Sequence, residues 1–247
     1  YACHHLKDES MIREHFEIAE TAVTVISEPE YIRIAKDAVF EARSQVERKI
    51  ALDPYFKITY EPYPASKDDG YVVERMCNAS LKASVGPMAA VAGAIAEYAV
   101  KKMAEAGAKY AVVDNGGDIA LISDREVLIG MYADINNQRL SLKMPPADRI
   151  IGICSSSASV GPSVSFGRSD ISTVISRDVS LADACATALG NMIKDNENMA
   201  EHLEKICGID GVEGCLAYCG GSLGMCGNVP EIVGSRPKDE IITRIMF

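Results

Sequence analysis

A five-residue segment occurs twice in this chain of 247 residues. Residues 83–87 and 158–162 both read Ala-Ser-Val-Gly-Pro, serine precedes each copy, and a helix-forming segment rich in small residues follows each copy. Internal repetition is typical of folds assembled from related units. We therefore predict an internally duplicated α+β protein, in which two halves (roughly 15–135 and 136–247) pack intimately as one domain. Because these residue types are common, coincidence is the alternative to duplication.

The pattern of apolar residues predicts both strands and helices in each half. Residues 16–26 are rich in β-branched residues, which favours a strand. Pro29 suits the first turn of a helix whose apolar residues recur at helical spacing to about residue 52. Further helices are predicted at about 88–106, 181–194 and 198–207, and further strands at 110–114, 118–122, 127–134, 150–154, 171–175 and in the tail 212–233. This order predicts mixed or antiparallel sheets with helices packed on them.

The amino-acid composition of the chain indicates which kinds of binding partner are expected. Hydrophobic residues make up 48% of the chain and charged residues 24%, which is ordinary for a globular protein. The net charge of -10, with no basic stripe to offset it, disfavours contact with nucleic-acid phosphates. The 8 cysteines lie largely in apolar segments, and no segment has the pattern of a signal peptide. We therefore expect reduced thiols, a cytoplasmic protein, no nucleic-acid or membrane partner, and a homo-oligomer.

The first candidate site is the segment Asp114-Asn115-Gly116-Gly117-Asp118. Two adjacent glycines allow positive φ angles and bring backbone N–H groups close to a ligand. The flanking carboxylates are suited to a metal ion or a ribose hydroxyl. The alternative is a hairpin turn with polar corners, for which an Asn-Gly pair is a strong signal.

The second candidate site lies in the predicted helix that follows Ser180. Asp183 and Thr187 are four residues apart, so their oxygens project from the same helix face. A carboxylate and a hydroxyl suit a hard cation such as Mg²⁺, with phosphates completing its ligands. The alternative is a capping box between Ser180 and Asp183, with Thr187 bonded to a backbone carbonyl.

Two further groups of residues complete the candidates. Gly86, before a predicted helix, and Ser155, Ser156 and Ser157, after a predicted strand, could bind an anion through N–H and hydroxyl donors, or they could be only a cap and a polar connector. Cys207, Cys215, Cys219 and Cys226 could form a metal site, but their spacing favours simple burial. The four histidines lie outside all these motifs, so no histidine-based triad is expected and the catalytic residues stay unassigned.

Five segments in this order resemble the ApbE-like family, whose members include FAD:protein FMN transferases, and especially its branch found in archaea and bacteria. They are residues 85–97 (VGPMAAVAGAIAE), 115–119 (NGGDI), 152–157 (GICSSS), 165–170 (SFGRSD) and 182–188 (ADACATA). The resemblance spans most of the chain, from about residue 20 to the tail. It implies a duplicated α+β fold and a pocket for one small molecule.

The resemblance also implies roles for particular residues. In the flavin transferases the motif matching Asp183 and Thr187 contributes magnesium ligands, and the matching Gly-Gly-Asp turn lies at the flavin nucleotide site. On that analogy Asp183 and Thr187 would hold Mg²⁺, and residues 115–118 would contact FAD or FMN. The chain departs from those enzymes at Ala96-Glu97, where they carry Lys-Gly, and their His- and Pro-containing block has no clear counterpart.

Three functions follow as hypotheses. The first is binding of a flavin or another phosphate-bearing small molecule with Mg²⁺, with transferase activity. The second is an accessory role in sulfur or homocysteine (methionine) metabolism, in which Cys154 or the cysteine-rich tail would handle sulfur. The third is a non-catalytic scaffold that binds neither ligand.

Overall fold

The computed structural model describes residues 11–135, 138–157 and 169–234. The second copy of the pentapeptide (158–162) and residues 165–168 of the fourth family segment lie outside these ranges, as do Cys3, His4 and His5. Statements about the structure below concern the described ranges.

The described chain forms eleven strands and six α-helices. The strands are β1 (Ile12–Ile18), β2 (Thr21–Ser27), β3 (Ala111–Asn115), β4 (Asp118–Ser123), β5 (Val127–Ile135), β6 (Gln138–Met144), β7 (Ala147–Ser156), β8 (Ile171–Ser176), β9 (Val212–Cys219), β10 (Ser222–Gly227) and β11 (Glu231–Gly234). The helices are α1 (Pro29–Leu52), α2 (Tyr55–Ile58), α3 (Tyr71–Ala83), α4 (Val91–Glu105), α5 (Val179–Met192) and α6 (Met199–Cys207), and a 3₁₀ turn (Pro87–Ala90) precedes α4.

The strands form two antiparallel sheets. The large sheet has the order β1-β2-β3-β4-β7-β8-β9-β10, and the small sheet has the order β11-β6-β5. Successive residues of a strand point to opposite faces, so the large sheet carries two cores. Ala120 of β4 packs with the helices on one face, whereas Ile119 and Leu121 pack with the small sheet on the other. The structure is therefore α+β, with the large sheet as its middle layer.

The large sheet contains two four-stranded units with the same connectivity. In β1–β4 and again in β7–β10, a hairpin is followed by helices and then by a second hairpin. The second hairpin turns at Gly116-Gly117 in one unit and at Gly220-Gly221 in the other, and all four glycines have positive φ. This symmetry supports a duplication of the two halves, which stays a prediction.

The repeated pentapeptide does not occupy equivalent positions in these units. Its first copy joins α3 to α4, between the second and third strands of the first unit. The second copy falls between β7 and β8 in chain order, which are the first and second strands of the second unit. The segments that do correspond are the two glycine turns.

Four elements differ from the sequence prediction. The strand predicted at 16–26 is a hairpin of β1 and β2, because the chain reverses at Ala19, which has a φ of 51°. A non-glycine residue rarely adopts this conformation, so the sequence carries no turn signal there. Helices α2 and α3 and strand β6 were not predicted.

The described ranges contain no single helix that is long and apolar enough to cross a membrane. One bent pair, Tyr71–Ala83 with Pro87–Glu105, meets the length and composition criteria only when the two are joined across a bend of 108°.

Candidate functional site

The double-glycine turn lies between β3 and β4 and is fixed by its polar neighbours. Gly116 and Gly117 have φ angles of 68° and 104°, a conformation that side chains disfavour. Asp114 Oδ1 accepts a hydrogen bond of 2.9 Å from the Gly117 N–H. Asn115 Nδ2 donates a hydrogen bond of 3.1 Å to the Ala92 carbonyl. The turn is therefore tied to the start of α4.

Asp183 reaches the same end of α4 from the first turns of α5. Its Oδ2 accepts a hydrogen bond of 2.7 Å from the Gly93 N–H. A Cβ atom on Gly93 would lie 2.7 Å from both Asp183 Cβ and the Val179 carbonyl oxygen. Only a glycine at position 93 allows α5 to come this close. Through Ala92 and Gly93, the start of α4 connects the glycine turn to Asp183.

Asp118, the last residue of the glycine-turn motif, is close enough to Asp183 for their charges to interact. Burial, and then the charges of Asp183 and Asp114, raise the pKa of Asp118 well above its usual range. Burial raises the pKa of Asp183 to about 7, against the opposing hydrogen bonds from Gly93 and Ala92. Asp118 Oδ1 is buried and has no hydrogen-bond partner. Two carboxyl groups thus share a poorly solvated space, and one oxygen is unsatisfied.

This donor set fits a small hard cation. Mg²⁺ is usually bound through one or two protein carboxylates, while waters and substrate phosphates complete its ligands. Asp118 and Asp183 could supply the carboxylates, and Thr187, one turn further along the same face of α5, could add a hydroxyl. Within the described ranges, no group of three or more His, Cys, Asp and Glu side chains could hold a metal by itself. Waters or a ligand with its own oxygens would therefore be needed to complete the site.

The three serines of the candidate site point in different directions. Ser155 Oγ lies 2.9 Å from Thr173 Oγ1, and the Ser155 backbone N–H bonds Asp118. Ser156 faces α5, since a Cβ atom on Gly190 would lie 3.3 Å from its Oγ. Ser157 Oγ donates to the Asp170 carbonyl at 2.8 Å. Ser155 therefore bonds the carboxylate pair directly.

Gly86 has a packing role in the structure. A Cβ atom at this position would lie 2.1 Å from the Thr59 carbonyl oxygen, so any side chain would displace the loop before α3. The N–H groups that bond Asp183 come from Ala92 and Gly93. The sequence analysis gave Gly86 as an anion-binding residue or a cap, and the anion-binding role stays a prediction.

Helix α5 is capped by a residue that the sequence analysis did not name. Asp178 accepts a hydrogen bond of 2.9 Å from the Leu181 N–H. The capping box proposed as the alternative role for Asp183 therefore gives way to a cap at Asp178. Asp183 remains available to the site.

Glu97 on α4 anchors the start of α5. Its Oε2 accepts hydrogen bonds of 3.1 Å from both the N–H and the hydroxyl of Ser180. Its Oε1 lies 2.8 Å from Arg75, which also forms a 2.7 Å ion pair with Asp178. Burial raises the pKa of Glu97, and the Arg75 charge opposes that shift. This network fixes the helix that carries Asp183.

Cys154 contacts the carboxylate pair and was assigned to sulfur chemistry in the second sequence hypothesis. Its thiol is fully buried, bonds Asp118, and lies 3.6 Å from the Val179 carbonyl oxygen. Burial, and then the charges of Asp118 and Asp183, raise its pKa well above the usual range. Because the thiolate is the nucleophile, this environment disfavours reaction at Cys154.

Comparison with protein families and with curated relatives gives a consistent result. Residues 3–206 match the model of a family described as AbpE bacteria. The chain is 49% identical over 230 residues to a UPF0280 protein of Methanocella arvoryzae, covering 93% of this chain and 94% of the relative. It is 46% identical over 239 residues to a UPF0280 protein of Archaeoglobus fulgidus, covering 95% of this chain and 100% of the relative.

Solved structures share the fold at low sequence identity. The flavin transferase ApbE from Vibrio cholerae matches with a TM-score of 0.59 and 12% identity, covering 87% of this chain and 96% of that one. The ApbE protein from Thermotoga maritima matches with a TM-score of 0.59 and 13% identity, with the same coverage. The matching architecture agrees with the α+β fold described above.

Proposed function

Because the chain belongs to the family described as AbpE bacteria, we propose that it binds FAD or a related phosphate-bearing small molecule together with Mg²⁺. The proposed site consists of the glycine turn at residues 115–118, the start of α4, and Asp183 and Thr187 on α5. Transfer of the FMN part of the ligand is the proposed activity.

One observation carries this proposal: Asp118 and Asp183, 65 residues apart in sequence, share a buried space with one unsatisfied oxygen. Two buried carboxyl groups without a nearby cation are unfavourable because each disfavours the charged form of the other. A divalent cation would remove this conflict. The family match and the fold shared with flavin transferases then favour a flavin nucleotide as the source of the remaining oxygens.

The residues of the site would have distinct tasks. Asp183 and Asp118 would hold the cation in their ionised forms, and Thr187 would add its hydroxyl oxygen. Gly116 and Gly117 leave open space on the ligand side, since a Cβ atom at either position would meet nothing within 4 Å. The glycines therefore let a ligand approach the backbone. When bound, Mg²⁺ supplies charge neutralisation at the phosphates and polarises a phosphoryl oxygen.

Binding can be tested by calorimetric titration with FAD, with MgCl₂ or with EDTA. We expect wild-type protein to bind FAD in the presence of Mg²⁺, and Asp183→Asn to lose the Mg²⁺-dependent part of the affinity. Asp37→Asn is the matched control, because Asp37 is an exposed carboxylate on α1 that pairs with the exposed Arg33. Equal Mg²⁺-dependent binding by Asp183→Asn and wild type would contradict the metal role.

Transfer is tested separately from binding. If FMN is transferred, the P–O bond between the two phosphates of FAD breaks, the FMN phosphoryl group passes to an acceptor hydroxyl, and AMP leaves. Chromatography of FAD incubated with protein, Mg²⁺ and a Ser/Thr-containing acceptor peptide should then show AMP in amounts equal to the modified peptide. Mg²⁺-dependent binding without AMP would restrict the function to binding.

A further inference from the structure

Three cysteines, on α6, β9 and β10, lie close together at the edge of the large sheet. Cys215 of β9 and Cys226 of β10 are directly opposite each other in the antiparallel register. Cys207, at the C-terminal end of α6, interacts with both thiols. A Cβ atom on Gly227 would lie 2.5 Å from Cys207 Sγ, so the end of α6 presses directly on β10. All three thiols are free in the structure.

The three thiols differ in accessibility. Cys215 is fully buried and donates to the Leu203 carbonyl at 3.4 Å. Cys207 and Cys226 are half-buried. Cys226 also lines a cleft of about 230 Å³ between α6 and β10, together with Met199, Leu203, Glu204, Met225 and three other residues. A small molecule entering this cleft would therefore meet Cys226, and Cys207, which interacts with Cys226, is next to the cleft.

We propose that the Cys226–Cys207 pair is a thiol–disulfide exchange site for small, uncharged or cationic disulfides. Glu204 is the charged residue in the cleft lining, and the chain carries a net charge of -10, so anionic disulfides are disfavoured. Cys226 thiolate attacks one sulfur of the disulfide RSSR, which gives a mixed disulfide and releases RS⁻. Cys207, whose pKa is raised by burial and by Cys226, then loses its proton, attacks the Cys226 sulfur and releases the second RS⁻. The protein loses two protons and two electrons, and RSSR becomes two RSH.

The site can be tested with 2-hydroxyethyl disulfide as the neutral probe. A Cys3→Ser background is used because Cys3 lies outside the described residues. Intact mass and peptide mapping should show that the parent protein loses two hydrogens and forms a Cys207–Cys226 cross-link. Cys207→Ser should stop at a stable adduct on Cys226, and Cys226→Ser should slow the reaction by more than about tenfold. Cystamine should react faster than oxidised glutathione.

Cys215→Ser and Cys219→Ser are the matched controls, because both residues lie on β9 and are buried. We expect both variants to form the same cross-link as the parent. A Cys215–Cys226 cross-link, a persistent adduct on Cys226 in the parent, or first reaction at another cysteine would overturn the proposal. Circular dichroism of each variant before oxidation tests whether it is folded. Peptide mapping of the parent protein alone decides which cysteines form the cross-link.

Discussion

At the scale of single residues, the candidate site depends on two carboxyl groups that oppose each other's ionisation. Asp183 is buried, Asp118 beside it is half-buried with a buried Oδ1 atom, and both have a raised pKa. A raised pKa means that the folded protein holds the proton more tightly than the unfolded chain does. Without a cation, each group therefore makes the folded state less stable as the pH rises.

The first prediction concerns the pH dependence of stability in the absence of metal. The pKa of Asp183 is about 7 in the folded protein and near its ordinary value of 3.8 in the unfolded chain. Between these values the unfolded chain releases its proton and the folded one keeps it, so stability falls as the pH rises through this window. Asp183→Asn removes this penalty.

In urea unfolding with EDTA, we expect Asp183→Asn to gain stability relative to wild type as the pH rises from 4 to 7, by at most about 1.4 kcal/mol for each pKa unit. The exposed control Asp37→Asn should keep a constant difference from wild type over that range. A constant difference for Asp183→Asn as well would contradict the raised pKa.

The second prediction concerns Mg²⁺ alone. Because a cation binds the ionised carboxylates, its affinity should rise as the pH increases through about 7, the pKa of Asp183. Thermal unfolding with and without MgCl₂ should show stabilisation of wild type at pH 8 that is lost at pH 5. Asp118→Asn and Asp183→Asn should both abolish the effect at pH 8, and an unchanged effect in either variant would exclude that residue as a ligand.

At the scale of elements, the site depends on how closely α5 approaches its neighbours. Gly93 of α4 and Gly152 of β7 both contact Val179 at the start of α5, and a Cβ atom on either would lie 2.7 Å from its backbone. The pair of glycines thus lets α5 pack against α4 and the sheet at once. The position of Asp183 follows from this packing.

The third prediction is that Gly93→Ala damages the site through packing alone. The added methyl group would lie 2.7 Å from Asp183 Cβ, so α5 must shift, and we expect a loss of about 1–3 kcal/mol in the free energy of unfolding. Mg²⁺ stabilisation should also disappear. Gly234→Ala is the control, since a Cβ atom there would meet nothing within 4 Å. If MgCl₂ stabilised Gly93→Ala as much as it stabilises wild type, the close contact would not be required for Mg²⁺ binding.

The fourth prediction tests the anchor of α5. Glu97→Ala removes the buried carboxylate that accepts from the Ser180 N–H and pairs with Arg75. We expect the free energy of unfolding to fall by about 2–3 kcal/mol. This is less than the full cost of breaking a buried ion pair, because Arg75 keeps its ion pair with Asp178. Glu105→Ala, which removes an exposed ion pair on the same helix, should leave the urea midpoint unchanged. Equal midpoints for both variants would contradict an anchoring role.

At the scale of the whole molecule, residue patterns predicted the architecture better than they predicted the site's contacts. The β-branched and periodic segments that predict α1, α4, α5 and most strands carry their signal locally. The site depends on glycine contacts between distant elements, such as Gly93 with Asp183, which no local pattern contains. Likewise Glu97 is recognised as an anchor only when α3, α4 and α5 are seen together.

Each of the two four-stranded units also contains an equivalent serine hydrogen bond that local sequence patterns do not reveal. Ser27, the last residue of β2, donates to the Tyr110 carbonyl just before β3 at 2.7 Å. Ser176, the last residue of β8, donates to the Gly211 carbonyl just before β9 at 2.7 Å. Both serines are fully buried. Each hydroxyl thus links the two central strands of its unit at the end where the chain leaves for the helices and returns from them.

The fifth prediction asks whether these units unfold together. Each Ser→Ala change removes a partly buried hydrogen bond and should cost about 0.5–1.5 kcal/mol. Ser176→Ala should cost more than Ser27→Ala, because Ser176 Oγ also accepts from the Asp178 N–H at 2.9 Å. The serines are four strands apart, or about 19 Å, so the two losses should add in the double variant.

The pairing of β4 with β7 makes one continuous sheet of the two units, so a single unfolding transition is expected in every variant. Far-UV circular dichroism and tyrosine fluorescence should give coincident urea curves, since the chain has 10 tyrosines and no tryptophan. If the units were independent, each single change would shift only one of two transitions and the probes would separate. That outcome would contradict a common core, while additive shifts of one transition would show that both serine bonds stabilise the same cooperative structure.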